Sequence, residues 1–181
     1  MSFVTRLFGL VGIALTLAAC DEAATSATST DTPGRVIVAN VVAVDITDFI
    51  GIRGRALQRA PLEVANDITL AVQDVFSGPG VANANIALRL KDVLLTSPGS
   101  AFAFGGPSSI VADVTVRDAQ TGDVIFGPQE VRGTSATLRV PGLIGVATSP
   151  PATRDYDQTV AGFAAALQTQ LSAPLQTANG A

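Results

Sequence analysis

The side chains that could do chemistry are few. The chain has no histidine, a single cysteine at position 20 and a single lysine at position 91. Histidine is the usual general base near neutral pH and a common metal ligand. Its absence therefore argues against an acid–base catalytic site and against a transition-metal site. Two carboxylate pairs remain as a possible acid and base: Asp45 with Asp48, and Asp118 with Asp123. We interpret both as turn-capping residues, and the sequence predicts no catalytic residue, no metal and no cofactor.

The cysteine follows an apolar run near the start of the chain. Arg6 supplies a positive charge, Leu7 to Leu17 are mostly apolar, and two alanines precede Cys20. This pattern is typical of an export signal. An apolar run of about a dozen residues is too short to cross the hydrocarbon of a bilayer. The sequence therefore predicts a signal peptide over residues 1–19, and an ordinary secretory signal followed by a chance cysteine is the alternative.

The four residues Leu17-Ala18-Ala19-Cys20 resemble the lipobox of bacterial lipoproteins. The resemblance implies cleavage before Cys20, diacylglycerol on its sulfur and an acyl group such as palmitate on the new amino terminus. Two or three acyl chains would hold the protein on the membrane almost permanently. We therefore expect a lipid-anchored lipoprotein of the bacterial cell membrane that faces the periplasm. In enteric members of the family an aspartate after the cysteine retains the protein at the inner membrane, and Asp21 occupies that position. Because the rule does not hold in every bacterial group, the choice between inner and outer membrane stays open.

Composition argues against a nucleic-acid partner. The formal net charge is −4, and loss of Arg6 with the signal makes the mature chain more acidic still. Binding to nucleic acid depends on basic patches and aromatic platforms, which this sequence lacks. Once Cys20 is acylated, the chain also has no cysteine for a disulfide, so it must fold on its apolar core alone.

The chain divides into four parts. Residues 1–19 form the predicted signal peptide, and residues 20–34 contain the lipidated cysteine followed by small and polar residues. Such a composition buries too little apolar surface to order itself, so we expect a flexible tether. Residues 35–175 have the size and patterning of a single domain. Residues 176–181 are expected to be a frayed tail.

The periodicity of apolar residues predicts the elements of this domain. Residues 35–47 are rich in β-branched side chains, and residues 61–76 repeat apolar residues at helical spacing after Pro61. Strands are predicted over 85–95, 109–118 and 124–132, with a hairpin turn at Thr121-Gly122 and an edge position or bulge at Pro128. A last helix begins near Thr153 and carries an apolar stripe from Tyr156 to Leu171.

This order is β-α-β-β-β-α. The first crossover is expected to be right-handed, which would make the first two strands parallel, and the remaining strands form an antiparallel meander. Alternation of apolar and polar residues in the strands indicates that one face is covered and the other is open. We therefore predict an α+β fold, a two-layer sandwich in which a four-stranded mixed sheet carries two helices on one face.

A lipobox, a short tether and this topology resemble a group of small envelope lipoproteins that includes the family of the lipopolysaccharide-assembly lipoprotein. The hairpin sequence RDAQTGDVIF (residues 117–126) is similar to one that recurs in uncharacterised members of the group. The resemblance implies a role in the envelope, but no partner-binding residue carries over from it.

Three glycine-containing loops carry large apolar residues: Phe49 and Ile50, Phe102 and Phe104, Leu143 and Ile144. Loops normally run over the surface, where such side chains are costly. Either these residues complete the core, or they form a contact surface for a protein partner or for acyl chains. We expect a non-enzymatic binding or assembly component of the envelope, with the membrane and an envelope protein as partners. The alternatives are a carrier or sensor of a lipid or other apolar ligand held by these loops, and an enzyme that uses carboxylates alone.

Overall fold

The computed structural model describes residues 37–79, 82–137 and 140–172. The predicted signal peptide, Cys20, Asp21, the tether and the tail lie outside the described residues. All the described residues belong to one compact unit.

The predicted order of elements is confirmed, with three short additions. The elements are β1 (Ile37–Asp45), β2 (Ile52–Arg53), α1 (Pro61–Val75), β3 (Ala82–Leu94), α2 (Pro98–Ala103), β4 (Ser109–Asp118), β5 (Val124–Thr134), α3 (Leu143–Ala147) and α4 (Ala152–Ser172). Strand β2 and helices α2 and α3 lie in segments that the sequence indicated were loops. They were missed because each is too short to show a period of its own.

The sheet is mixed, as predicted. Its strands follow the order β1-β3-β4-β5, in which β1 and β3 are parallel and the other two pairs are antiparallel. The short β2 also pairs with β3 in parallel, with Ile52 opposite Val93, beyond the end of β1. It therefore adds a fifth strand to the four that were predicted.

The core lies between the sheet and the two long helices. The stripe of α4, from Tyr156 to Leu171, is buried, as are Val64, Ile68 and Val72 on α1. Val114 of β4 is fully buried, whereas its neighbour Thr115 is half-buried, which confirms the predicted register.

Helix α4 lies directly on β5 because glycine faces it. A Cβ atom on Gly133 would lie 2.1 Å from the Cα of Phe163, and one on Gly162 would lie 2.0 Å from the carbonyl oxygen of Thr134. No larger side chain fits at either position without moving the helix away from the strand.

The predicted hairpin and edge strand are also present. Gly122 has a φ of +78° in the turn between β4 and β5, a conformation that glycine adopts readily. Strand β5, which contains Pro128, is at the edge of the sheet, and its register with β4 shifts between Val114 and Val116. The shift in register occurs beside Pro128, because proline has no amide hydrogen to donate to the neighbouring strand.

The directions of the strands place the three apolar loops at one end of the sheet. Strands β1, β3 and β5 run the same way and β4 runs against them. The connections after β1, after β3 and after β5 therefore all leave from the same end. The sequence could not show this, because the three segments are far apart along the chain.

Candidate functional site

Helix α2 and its C-cap residue supply two of the predicted apolar residues, Phe102 and Phe104. Ser97 caps it by accepting a hydrogen bond from the Ser100 amide at 3.2 Å, and proline at position 98 is suited to the first helical turn. Ala101 is fully buried, and α2 packs against α3. Phe102 and Phe104 are thereby directed outwards.

Helix α3 carries two more of these residues and completes its own hydrogen bonds. The hydroxyl of Thr148 donates to the Ile144 carbonyl at 2.9 Å, and that of Ser149 donates to the Gly145 carbonyl at 2.8 Å. Carbonyls at the end of a helix otherwise need water or another donor. The Ile144 and Gly145 carbonyls thus have their donors within the same segment of the chain.

The two short helices pack against each other. The Gly142 amide donates a hydrogen bond to the Phe102 carbonyl at 2.9 Å. Gly145 is buried so closely that a Cβ atom there would lie 1.9 Å from the Val140 carbonyl oxygen and 3.6 Å from that of Ala101. The packing between α2 and α3 therefore depends on small residues, and the large side chains are left on the outside.

We call the resulting feature the α2–α3 surface, formed by Phe102, Phe104, Leu143 and Ile144. The exposed fractions of these residues are 53%, 84%, 78% and 70%, respectively. The sequence left open whether they complete the core or form a surface. In the structure they form a surface.

Phe49 and Ile50 behave differently from each other. Phe49 is only 7% exposed and belongs to the core, so its prediction as a contact residue is wrong. Its amide donates to the Ile46 carbonyl at 3.0 Å, a tight turn that directs the ring inwards. Ile50 is 85% exposed at the same end of the sheet, but it belongs to the β1–β2 connection and not to the α2–α3 pair.

The α2–α3 surface is also free of charge. No charged residue occurs from Val93 to Ala112, or from Val140 to Thr153. Arginines lie close to these uncharged stretches: Arg55 donates a hydrogen bond to the Pro150 carbonyl at 2.6 Å, and Arg154 is exposed in the first turn of α4.

A buried polar cluster lies where α4 begins, at the same end of the sheet. The Ser108 hydroxyl donates to the Asp155 carboxylate at 2.7 Å and accepts from the Thr96 amide at 2.8 Å. Asp155 lies in the first turn of α4, and the structure buries it completely. Helical spacing could have revealed this, because Asp155 lies one turn before the buried Thr159 and two turns before Phe163.

The carboxylate pairs bond to neighbouring groups. Asp45 accepts hydrogen bonds from the hydroxyl and the amide of Thr47 at 2.6 and 2.8 Å. Both bonds lower the pKa of Asp45, and the bond from the hydroxyl has the larger effect. Asp48 forms an ion pair with Arg89. Asp118 accepts from the amides of Gln120 and Thr121 in the hairpin turn at 2.8 and 3.0 Å. Within the described ranges, no group of three or more histidine, cysteine or acidic side chains is placed to hold a metal.

A cavity of about 240 Å³ lies at the other end of the sheet. Its lining includes Ile37 where β1 begins, Phe76 after α1, and Leu171 near the end of α4. Pockets for small-molecule ligands are typically about 300–1,000 Å³ in volume, so this one is small. It is separate from the α2–α3 surface.

Among the described helices, none combines the length and the apolar character that crossing a membrane requires. The apolar run of the predicted signal peptide is outside that part of the chain.

Neither the scan against protein-family models nor the search of curated proteins gave a match. Solved structures that are similar to the chain include the following two. One is a candidate lipoprotein from Caulobacter crescentus, with 16% identity and a TM-score of 0.34, covering 67% of this chain and 87% of that one. The other is a Xanthomonas campestris protein of the DUF330 family, with 15% identity and a TM-score of 0.34, covering 76% of this chain and 79% of that one.

Proposed function

We propose that this protein is a lipid-anchored component of the bacterial cell envelope, which faces the periplasm and acts by binding, without catalysis. The observation that carries the proposal is the α2–α3 surface. Its four large apolar side chains are all more than half exposed, although the same domain has a well-formed apolar core. Contiguous exposed apolar residues usually mark a contact with a protein or a membrane.

The lipid anchor supports the same function. The residues from Leu17 to Cys20 form a lipobox-like sequence directly after an apolar run. Acylation of Cys20 would confine the domain to the membrane surface. There the high local concentration of membrane partners would increase the fraction of protein bound, even if the contact itself is weak. An exposed apolar surface and an anchor are the two components expected of an assembly factor at a membrane.

The use of the polar side chains fits a binding role. Ser108 is fully buried, and its hydroxyl is engaged with Asp155 and Thr96. A nucleophile must reach its substrate and must have an adjacent base. The aspartates Asp45 and Asp118 accept hydrogen bonds from the turns that follow them. These side chains hold the fold together, which favours binding over carboxylate-only catalysis.

A carrier or sensor of an apolar ligand remains the second candidate, and the exposed phenylalanines of α2 are what favour it. A carrier encloses its ligand, and the cavity lined by Phe76 and Leu171 is small for an acyl chain. The α2–α3 surface is open. An open surface is better suited to docking than to carriage.

Site-specific photocross-linking in living cells tests the proposal. A photoreactive amino acid at position 104 of the full-length chain should give adducts, whether to protein or to lipid. The matched control is position 124, because Val124 is also exposed but lies in the hairpin at the other end of the sheet. Adducts no more abundant at 104 than at 124 would contradict a contact role for the α2–α3 surface.

A further inference from the structure

We infer that the α2–α3 surface docks on the bilayer in which the acyl chains of Cys20 are held. The domain would then lie with this end of its sheet against the membrane, and Phe102, Phe104, Leu143 and Ile144 would enter the boundary between headgroups and acyl chains. This inference rests on the lipid anchor of the proposed function, and it names the partner of the same surface.

The length of chain before the domain permits this orientation. Strand β1 begins with Ile37 at the end of the sheet opposite the α2–α3 surface, and its nine residues span about 30 Å. Between Cys20 and Ile37 lie the 16 residues 21–36, whose greatest possible span is about 55 Å. The anchored chain is thus long enough to pass the full length of the sheet while the α2–α3 surface touches the same bilayer.

Backbone carbonyls of the surface have hydrogen-bond donors within the protein, as an environment without water requires. A carbonyl or amide that enters the apolar part of a bilayer must have its hydrogen bond within the protein. The Phe102 carbonyl accepts from Gly142, the Ile144 carbonyl from Thr148, and the Ser100 carbonyl from Phe104. The exposed apolar side chains can therefore enter the membrane boundary without leaving these backbone groups unpaired.

The distribution of charge favours a bilayer over a protein. Contact surfaces for proteins are enriched at their centre in arginine, as well as in aromatic residues such as the two phenylalanines of this surface. The stretches 93–112 and 140–151 contain no arginine. Arg55 instead donates to the Pro150 carbonyl, and Arg154 is exposed in the first turn of α4. Both would be available to the headgroups of anionic lipids once the surface docks. Amphipathic elements that lie in the membrane interface combine apolar insertion with basic residues in this manner.

The test uses the full-length lipidated protein reconstituted into vesicles of phosphatidylethanolamine and phosphatidylglycerol. The chain contains no tryptophan, so Phe104→Trp introduces a single tryptophan, whose emission can be excited separately from that of Tyr156. We expect its emission to shift to shorter wavelength and to be quenched by lipids with brominated acyl chains. Val124→Trp, in the hairpin at the other end of the sheet, should be neither shifted nor quenched.

A second substitution measures how far docking depends on the surface. In the Phe104→Trp protein, Leu143→Ser should lower the ratio of docked to undocked domain by on the order of tenfold. The reason is that serine gains little free energy on moving from water into the membrane, whereas a large apolar side chain gains much. Leu143 is largely exposed, so this change should leave the fold intact. An unchanged circular dichroism spectrum and melting temperature would verify that.

Flotation of the vesicles separates the two proposals. Protein that does not float with the vesicles lacks its anchor, which would contradict the proposed function. Protein that floats but shows equal quenching at positions 104 and 124 would overturn the bilayer inference alone. In that case, adducts between position 104 and another protein in cells would assign the surface to a protein partner.

Discussion

The Gly142 amide and the Phe102 carbonyl are joined by a hydrogen bond of 2.9 Å, and this bond unites two segments that are separate loops in the sequence. The residues belong to the connections after β5 and after β3. Their bond, with the close approach of Gly145 to Ala101, turns two short helices into one feature. Two pairs of exposed apolar side chains are thereby brought onto neighbouring helices, which neither loop would achieve alone.

Two phenylalanines that the sequence placed in the same class should respond differently to truncation. Phe49→Ala should reduce the free energy of unfolding by about 3–5 kcal/mol, because it leaves a cavity in the core. Phe104→Ala should change it by less than about 0.5 kcal/mol, because the ring is already in water. Denaturant unfolding of the full-length protein in detergent measures both. Equal losses for the two variants would mean that Phe104 is packed.

Gly145→Ala should separate α2 from α3. The added methyl group would lie 1.9 Å from the Val140 carbonyl oxygen, so the backbone must move. We expect a loss of about 1–3 kcal/mol and faster hydrogen exchange at the Gly142 amide. Gly99→Ala is the matched control, since its nearest atom would be the Ser97 hydroxyl at 4.0 Å. If Gly145→Ala exchanged as slowly as the control, the close packing described here would be incorrect.

Cys20→Ser should abolish lipidation. The resemblance to a lipobox implies that the sulfur carries diacylglycerol, and serine cannot replace it. We expect the variant to remain uncleaved or to leave the membrane fraction, as measured by mobility on gels and by mass spectrometry of the amino-terminal peptide. Separation of membranes by density, applied to the unmodified protein, would assign it to the inner or outer membrane. A variant that kept the mature mass and stayed on the membrane would contradict the predicted anchor.

Tyr156 should make stability depend on pH in the alkaline range. Burial, and then the hydrogen bond that its hydroxyl donates to Asp67 at 3.0 Å, raise the pKa of Tyr156 above its ordinary value. In the unfolded chain the hydroxyl of Tyr156 ionises near pH 10, whereas in the folded protein the same hydroxyl stays protonated at that pH. The contribution of Tyr156 is therefore complete below about pH 10 and is lost as pH rises further.

The single tyrosine of the chain makes this measurable. The absorbance of tyrosinate should appear at a higher pH in folded than in unfolded protein. Tyr156→Phe should lose stability less steeply above about pH 10. Coincident titration curves for folded and unfolded protein would show that the hydroxyl is not held as the structure places it.

Much of the fold could be predicted because it depends on local periodicity. The alternation of Ile86, Leu88 and Leu90 with polar residues gives the buried face of β3, and the stripe from Tyr156 to Leu171 gives the inner face of α4. These patterns follow from the geometry of strands and helices, which repeats within a few residues. The candidate site is different, because α2 and α3 have too few residues to show a period.

The sequence by itself determined the order β-α-β-β-β-α, the faces of the main strands and helices, and the set of apolar loop residues worth considering. Only the tertiary structure decided that Phe49 is buried and Phe104 exposed, and that the connections after β3 and β5 meet. The physical reason is that the exposure of a loop residue depends on which distant segments cover it. That depends on strand direction and on close contacts such as that of Gly145, which residue types at local spacing do not encode.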